Sequence, residues 1–174
     1  MGVKLVSASA GSVEIVAPTT ASNYTATMPA KTGNVMLDGP AFSAYLSATQ
    51  TVSSATFTKV TINTEEFDTN SNYDNATNYR FTPTVAGYYQ VSGTLNAATT
   101  ANVLQIVTIY KNGTEFKRGV SVVPVNGGLV NVSALVYLNG STDYIELYGY
   151  INTGTSFTSG STITYFQAAM IRGA

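Results

Sequence analysis

The sequence predicts an all-β sandwich, and three observations carry that expectation. Apolar residues recur at every second position, as in Val130, Val132, Ala134, Val136 and Leu138, and no stretch keeps the 3.6-residue period of a helix. Asn112-Gly113 and Asn139-Gly140 separate such runs, and Asn-Gly between strands marks a tight hairpin turn that needs positive φ. The 174 residues are 44% apolar and only 10% charged, with 12 Tyr and 7 Phe, which is too aromatic a composition for a disordered chain.

Two regions are expected, divided near Asp38-Gly39-Pro40, where Asp-Gly before Pro ends regular structure. Residues 1–39 hold short apolar strands at 3–6 and 13–16 and a third candidate at 24–28. A piece below about 40 residues rarely encloses a core alone. This segment is therefore expected to pair with another chain, with its own trimer mates or with a larger assembly.

Residues 41–174 form the main domain. Phe42, Tyr45 and Leu46 open it, and 60–62 lead into Glu65-Glu66-Phe67-Asp68 and a polar loop over 69–78. Alternation over 88–95 places Tyr89, Val91 and Leu95 on one face, with Tyr88, Gln90, Ser92 and Thr94 on the other. Strands at 104–110 and 114–116 flank the first Asn-Gly turn. The second turn leads to a strand in which Ile145, Leu147 and Ile151 alternate with Tyr144, Glu146, Tyr148 and Tyr150. Residues 163–171 close the domain.

Several functions are disfavoured by composition. With no Cys there is neither a disulfide framework nor a thiolate metal site, and with no His the commonest general base and the usual Ser-based triad are lost. A net charge of −1 gives no electrostatic reason to bind nucleic acid. No apolar run approaches the ~20 residues that span a bilayer, so no membrane insertion is expected. The opening Met-Gly-Val-Lys-Leu-Val is too short in apolar residues for a secretory signal, and synthesis in a cytoplasm is expected. No catalytic residue, cofactor or metal is assigned.

Three residue groups invite a chemical reading. Asp68, Asn70, Asn72 and Asp74 alternate like the start of a calcium loop, but Tyr73 stands where such a loop wants Gly and Tyr79 where it wants a bidentate Glu. Local side-chain-to-backbone turns are the favoured reading, with a cation site as the alternative. Glu65, Glu66 and Asp68 supply carboxylates of the kind a glycosidase pairs across one bond, but a solvated strand end explains them better. Lys111, Lys117 and Arg118 surround one hairpin and read as charges that solubilise an edge.

The stretch Phe81-Thr82-Pro83-Thr84-Val85-Ala86-Gly87-Tyr88-Tyr89-Gln90-Val91 resembles the globular head of complement component one-q and its tumour-necrosis-factor-like relatives. Phe42-x-Ala44-x-Leu46 resembles the family's opening strand, and Asp143-x-Ile145-x-Leu147 its Gly-Asp-x-Ile-x-Leu run, with a looser turn at Gly140. The resemblance covers 41–174. It implies a jelly-roll β-sandwich of roughly eight to ten strands, working as a homotrimer. In such trimers aromatics on a sheet face pack around the three-fold axis, so Tyr144, Tyr148 and Tyr150 are candidates for the trimer interface, with a glycan or receptor patch as the alternative. Tyr148→Asp is expected to loosen the trimer.

Asn23-Tyr24-Thr25, Thr27, Pro29-Ala30, Thr32-Gly33 and Val35 resemble a segment recurrent in appendage proteins of tailed bacteriophages. This implies virion attachment, with Tyr24, Thr27, Pro29 and Val35 as candidates. A plain β-hairpin with a Pro-Ala-Lys-Thr-Gly turn is the alternative. Together the resemblances imply a non-enzymatic trimeric protein on the virion surface. The favoured place is the capsid, as a cement or head-fibre protein bound to the major capsid protein or another virion protein. The alternative is a short tail-fibre or spike tip that binds a host receptor or polysaccharide.

Overall fold

The computed structural model describes residues 3–6, 12–15, 39–98, 103–123 and 128–174, with backbone alone at 3–6, 12–15 and 120–123. The chain divides into two units, Met1–Gly33 and Asn34–Ala174. In the first, β1 (Val3–Val6) and β2 (Ser12–Ile15) pair antiparallel, with Val3 opposite Ile15 and Lys4 opposite Glu14. The candidate strand at 24–28, the end of the 13–16 candidate and the attachment candidates Tyr24, Thr27, Pro29 and Val35 lie outside the described residues.

The second unit is all-β. Its short early strands are β3 (Ala41–Tyr45), β4 (Gln50–Thr51), β5 (Thr58–Lys59), β6 (Thr64–Asp68), β7 (Tyr73–Asp74) and β8 (Arg80–Phe81). The long strands follow as β9 (Ala86–Asn96), β10 (Val103–Lys111), β11 (Thr114–Val123), β12 (Leu129–Asn139) and β13 (Ile145–Ile151). The chain ends with β14 (Ser156–Phe157) and β15 (Tyr165–Gly173). One sheet has the order β12-β9-β15-β3-β6, the other β11-β10-β13-β8-β7 with β5 also on β13, and β14 pairs β4. First and last strands thus lie side by side in one sheet, as a jelly roll requires.

The two sheets pack face to face. Phe42 stacks on Tyr73 at 4.5 Å and on Phe81 at 4.6 Å, with Phe166 edge-on at 5.2 Å. Offset and edge-to-face pairs of this kind add about 0.5–1.5 kcal/mol each beyond the area they bury. The Pro-Gly stretch at 81–91 has a physical basis in the fold. Phe81 and Tyr89 meet edge-on in this cluster, and the Tyr89 hydroxyl donates to the Val85 carbonyl at 2.7 Å, pinning the turn before β9. Burial pushes the Tyr89 phenol up to about 12, so it stays a donor. At Gly87 a Cβ would stand 2.5 Å from the Arg172 carbonyl oxygen, so β9 can lie against β15 there only with glycine.

The alternation read from sequence is the alternation observed. Along β12 Val130, Val132, Ala134, Val136 and Leu138 are buried and the residues between them exposed. Asn112 and Gly113 both have positive φ, at 51° and 78°, as the hairpin turn requires. Several details differ from expectation: β11 runs on to Val123, well beyond the expected 114–116, and Thr94, expected on the outward face, is buried. The polar loop at 69–78 contains β7, because Tyr73 turns inward and donates its hydroxyl to the Ile62 carbonyl at 3.0 Å. The closing strand starts at Tyr165, because 160–164 form a turn in which the amides of Ile163 and Thr164 bond to the Gly160 carbonyl. Glu146, expected on an open face, is buried.

Candidate functional site

The outward faces of the two sheets differ, and that difference decides which can bind something. On the six-stranded sheet the sequence-nominated tyrosines already have partners in their own chain. Tyr148 stacks on Tyr110 with ring centres 4.0 Å apart, because the register puts Thr108 opposite Tyr148 and Tyr110 opposite Glu146. Phe57 lies 5.0 Å from Tyr150, and the Arg118 guanidinium stands 5.1 Å from the Phe57 ring. Tyr144 precedes β13, with the Arg80 guanidinium 4.4 Å from its ring centre. Such cation–ring contacts contribute about 0.5–1 kcal/mol when exposed.

Charges on this face are paired as well. The Lys59 ammonium is 2.5 Å from Glu146, whose side chain is 5% exposed, and also donates to the Asn78 carbonyl. Arg118 bonds Glu115 through two nitrogens, which holds the Glu115 carboxyl below its ordinary range. Burial raises the Tyr110 and Tyr148 phenols. The structure therefore brings Tyr148 and Tyr150 into one half-covered aromatic band and sets Tyr144 at its end.

Hairpin tips close the same end. Asp143 accepts from the Asn112 side chain at 2.8 Å and pairs with Lys111 at 2.9 Å, and these bonds hold its carboxyl low. Asn112 in turn accepts the Tyr144 amide, while the Asn139 side-chain oxygen accepts the amides of Ser141, Thr142 and Asp143. The loop at 68–74 is similarly self-satisfied. Asp68 accepts the amides of Asn70 and Tyr73, Asp74 accepts those of Ala76, Thr77 and Asn78, and Asn72 accepts that of Thr84. Lone pairs that a cation would need are directed at backbone N–H groups. Glu65 is exposed with its carboxyl raised by burial and by Asp68, whereas Glu66 accepts the Ser43 hydroxyl at 2.6 Å. Nothing pairs these two carboxylates across a cleft.

The five-stranded sheet is different. Its outward face exposes Phe67 on β6, Tyr88 on β9, Leu129, Leu135 and Tyr137 on β12, and Ile171 on β15, each at least 40% exposed. Between them runs a polar stripe in which Gln90 donates to Ser133 at 2.7 Å and Gln167 to Ser92 at 3.0 Å. A shallow groove of about 200 Å³, lined by Ala41, Phe42, Phe67, Gln167, Ala168 and Ala169 among others, lies beside β6. Sequence reading nominated none of these residues as a site. A signal was present in β12, where Leu129, Leu135 and Tyr137 occupy outward positions of a strand whose inward positions are also apolar.

No family profile and no curated protein matches the chain. Solved structures do. The crystal structure of murine APRIL at pH 5.0 is 10% identical with a TM-score of 0.59, covering 77% of this chain and 100% of that one. The structure of Eiger TNF from S. frugiperda is 9% identical with a TM-score of 0.56, covering 78% of this chain and 95% of that one. Similarity at this level of identity establishes fold, and the fold is the tumour-necrosis-factor-like jelly roll.

Proposed function

We propose that the chain is a non-enzymatic trimeric structural protein of a tailed-phage virion, set on the capsid surface as a cement or head-fibre protein. The observation that carries assembly is the outward face of the five-stranded sheet. Its strands of 11, 11, 9, 5 and 5 residues cover roughly 650 Å² at ordinary strand spacing and rise. That approaches the scale of about 800 Å² per partner in a stable interface, and six large apolar side chains stand exposed on it. The self-paired band on the six-stranded sheet then faces outward. Support for the virion comes from the appendage-like segment at 23–35 and from the short β1–β2 pair, since an isolated two-stranded hairpin is marginal in water and gains from being held by a larger partner.

Binding to purified capsids tests the placement. A capsid protein cosediments with capsids, raises their disruption temperature and is present in scores to hundreds of copies. A second reading, a short tail-fibre or spike tip, is favoured by the aromatic band around Tyr144, Tyr148 and Tyr150, which suits a surface polysaccharide. In that case the free protein blocks phage adsorption and leaves capsids unaffected.

A further inference from the structure

On the outward face of the six-stranded sheet one cation is left without a partner. Strand register sets Arg80 opposite Glu146 and Glu146 opposite Tyr110, while Lys59 lies opposite Tyr148, with Thr108 and then Arg118 beyond it. Residues directly opposite in a ladder share a face, so these side chains form two adjoining rows. Lys59 is neutralised by Glu146 and Arg118 by Glu115. Arg80 has neither a carboxylate nor a hydrogen-bond acceptor among the described residues, and its guanidinium lies against the Tyr144 ring, 4.4 Å from the centre. Its two acidic neighbours in the ladder are already engaged. Glu146 holds Lys59, and Asp74, opposite Arg80 on β7, accepts the amides of Ala76, Thr77 and Asn78. Tyr144 is pinned in turn, since its amide donates to the Asn112 side chain.

We infer, resting on the polysaccharide reading above, that this band binds an extended glycan through an acidic sugar, whose carboxylate pairs with Arg80 while neighbouring sugar rings lie along Tyr148 and Tyr150. From Tyr144 to Tyr150 the band runs about 20 Å at ordinary strand rise, room for several sugar rings. A guanidinium is a planar fork of N–H donors that meets a carboxylate through two parallel bonds. The Tyr144 ring already holds that fork, so little freedom is lost when the anion arrives. C–H groups on the face of a sugar suit the negative face of an aromatic ring. Sugar hydroxyls both donate and accept, which suits the Lys59–Glu146 and Arg118–Glu115 pairs beside the rings. Other occupants fit this face less well. A peptide strand has no ladder to join on β13, which is hydrogen-bonded to β10 on one side and to β5 and β8 on the other. Nucleic acid calls for a run of free cations, whereas Lys59 and Arg118 are neutralised. An apolar protein surface would bury the ion pairs that interleave with the rings, at a cost in desolvation.

Isothermal titration of the full chain with two sugars, and circular dichroism as a folding control, tests this. Oligogalacturonate carries a carboxylate on every sugar, and a malto-oligosaccharide of equal length carries none. The original chain is expected to bind the first about tenfold more tightly than the second. Arg80→Gln is expected to remove that preference, and Arg80→Lys, which keeps the charge and loses the fork, to restore only part of it. Tyr150→Ala is expected to weaken both sugars alike. Equal affinity of the original chain for the two sugars would make the carboxylate pairing wrong while the polysaccharide reading stands. Oligogalacturonate binding unchanged in both Arg80→Gln and Tyr150→Ala would place the site elsewhere on the chain. A single-stranded oligonucleotide bound as tightly as oligogalacturonate would reveal a general anion site and overturn the sugar site. Binding of neither sugar would remove the site and the polysaccharide reading together.

Discussion

At Gly119 the edges of the two sheets touch, and a single methyl group cannot fit. The Cβ of Gly119→Ala would lie 1.9 Å from a backbone oxygen, so β11 or β12 must shift. A cost of about 1–3 kcal/mol is expected, as for other overpacked sites, read as a lower urea midpoint with an unchanged slope. Lys59→Ala is expected to cost about 2 kcal/mol, because it leaves the buried Glu146 carboxylate uncompensated, tempered by the half-exposed position of the lysine itself. Asp74→Ala removes the acceptor of three backbone amides and of the Asn78 side chain, for a loss near the ~1 kcal/mol of a helix cap. These bonds, that to Thr77 foremost, hold the Asp74 carboxyl at about 2 against an ordinary 3.8. A depressed carboxyl stabilises the fold above its unfolded value, and that contribution fades as pH falls from about 4 towards 2. Thermal melts of the original and Asp74→Ala chains should therefore differ at pH 6 and converge near pH 2. None of these roles was legible by spacing. Glu146 reads as a surface residue until Lys59, 87 positions earlier in the chain, is brought against it.

Elements were far more legible, for a physical reason. Inward and outward positions along β9, β12 and β13 follow from a period of two, and the Asn-Gly turns fix where hairpins reverse. Two-residue strands such as β4, β7 and β14 have too few positions to show any period, so pairing defined them. Which sheet face leaves its large apolar side chains uncovered was not legible either. Tyr144, Tyr148 and Tyr150 attract attention as aromatics, but their rings are taken up by Arg80, Tyr110 and Phe57. Tyr148→Asp should lower the stability of the subunit itself, by losing the Tyr110 stack and placing a carboxylate near Glu146. A melting temperature unchanged in that variant would show the stack to be inconsequential. Leu135→Asp on β12 should instead leave the subunit folded and weaken assembly, since Leu135 is 52% exposed and lies outside the buried core cluster.

For the whole molecule, what was read from the Pro-Gly stretch is the jelly roll, and the solved structures of murine APRIL and Eiger TNF share that fold at about one residue in ten. Identity that low means the fold is held by pattern, that is, by alternation, an aromatic cluster and glycines at close strand approaches, more than by particular surface residues. Assembly through the five-stranded sheet is the central claim, because the capsid role depends on it. Sedimentation equilibrium on three chains tests it most directly. The original chain is expected at three times its 18.3 kDa mass, Leu135→Asp at the single-chain mass with unchanged circular dichroism, and Tyr150→Ala at the trimer mass. An original chain at 18.3 kDa, or a Leu135→Asp trimer beside a dissociated Tyr150→Ala, would contradict it.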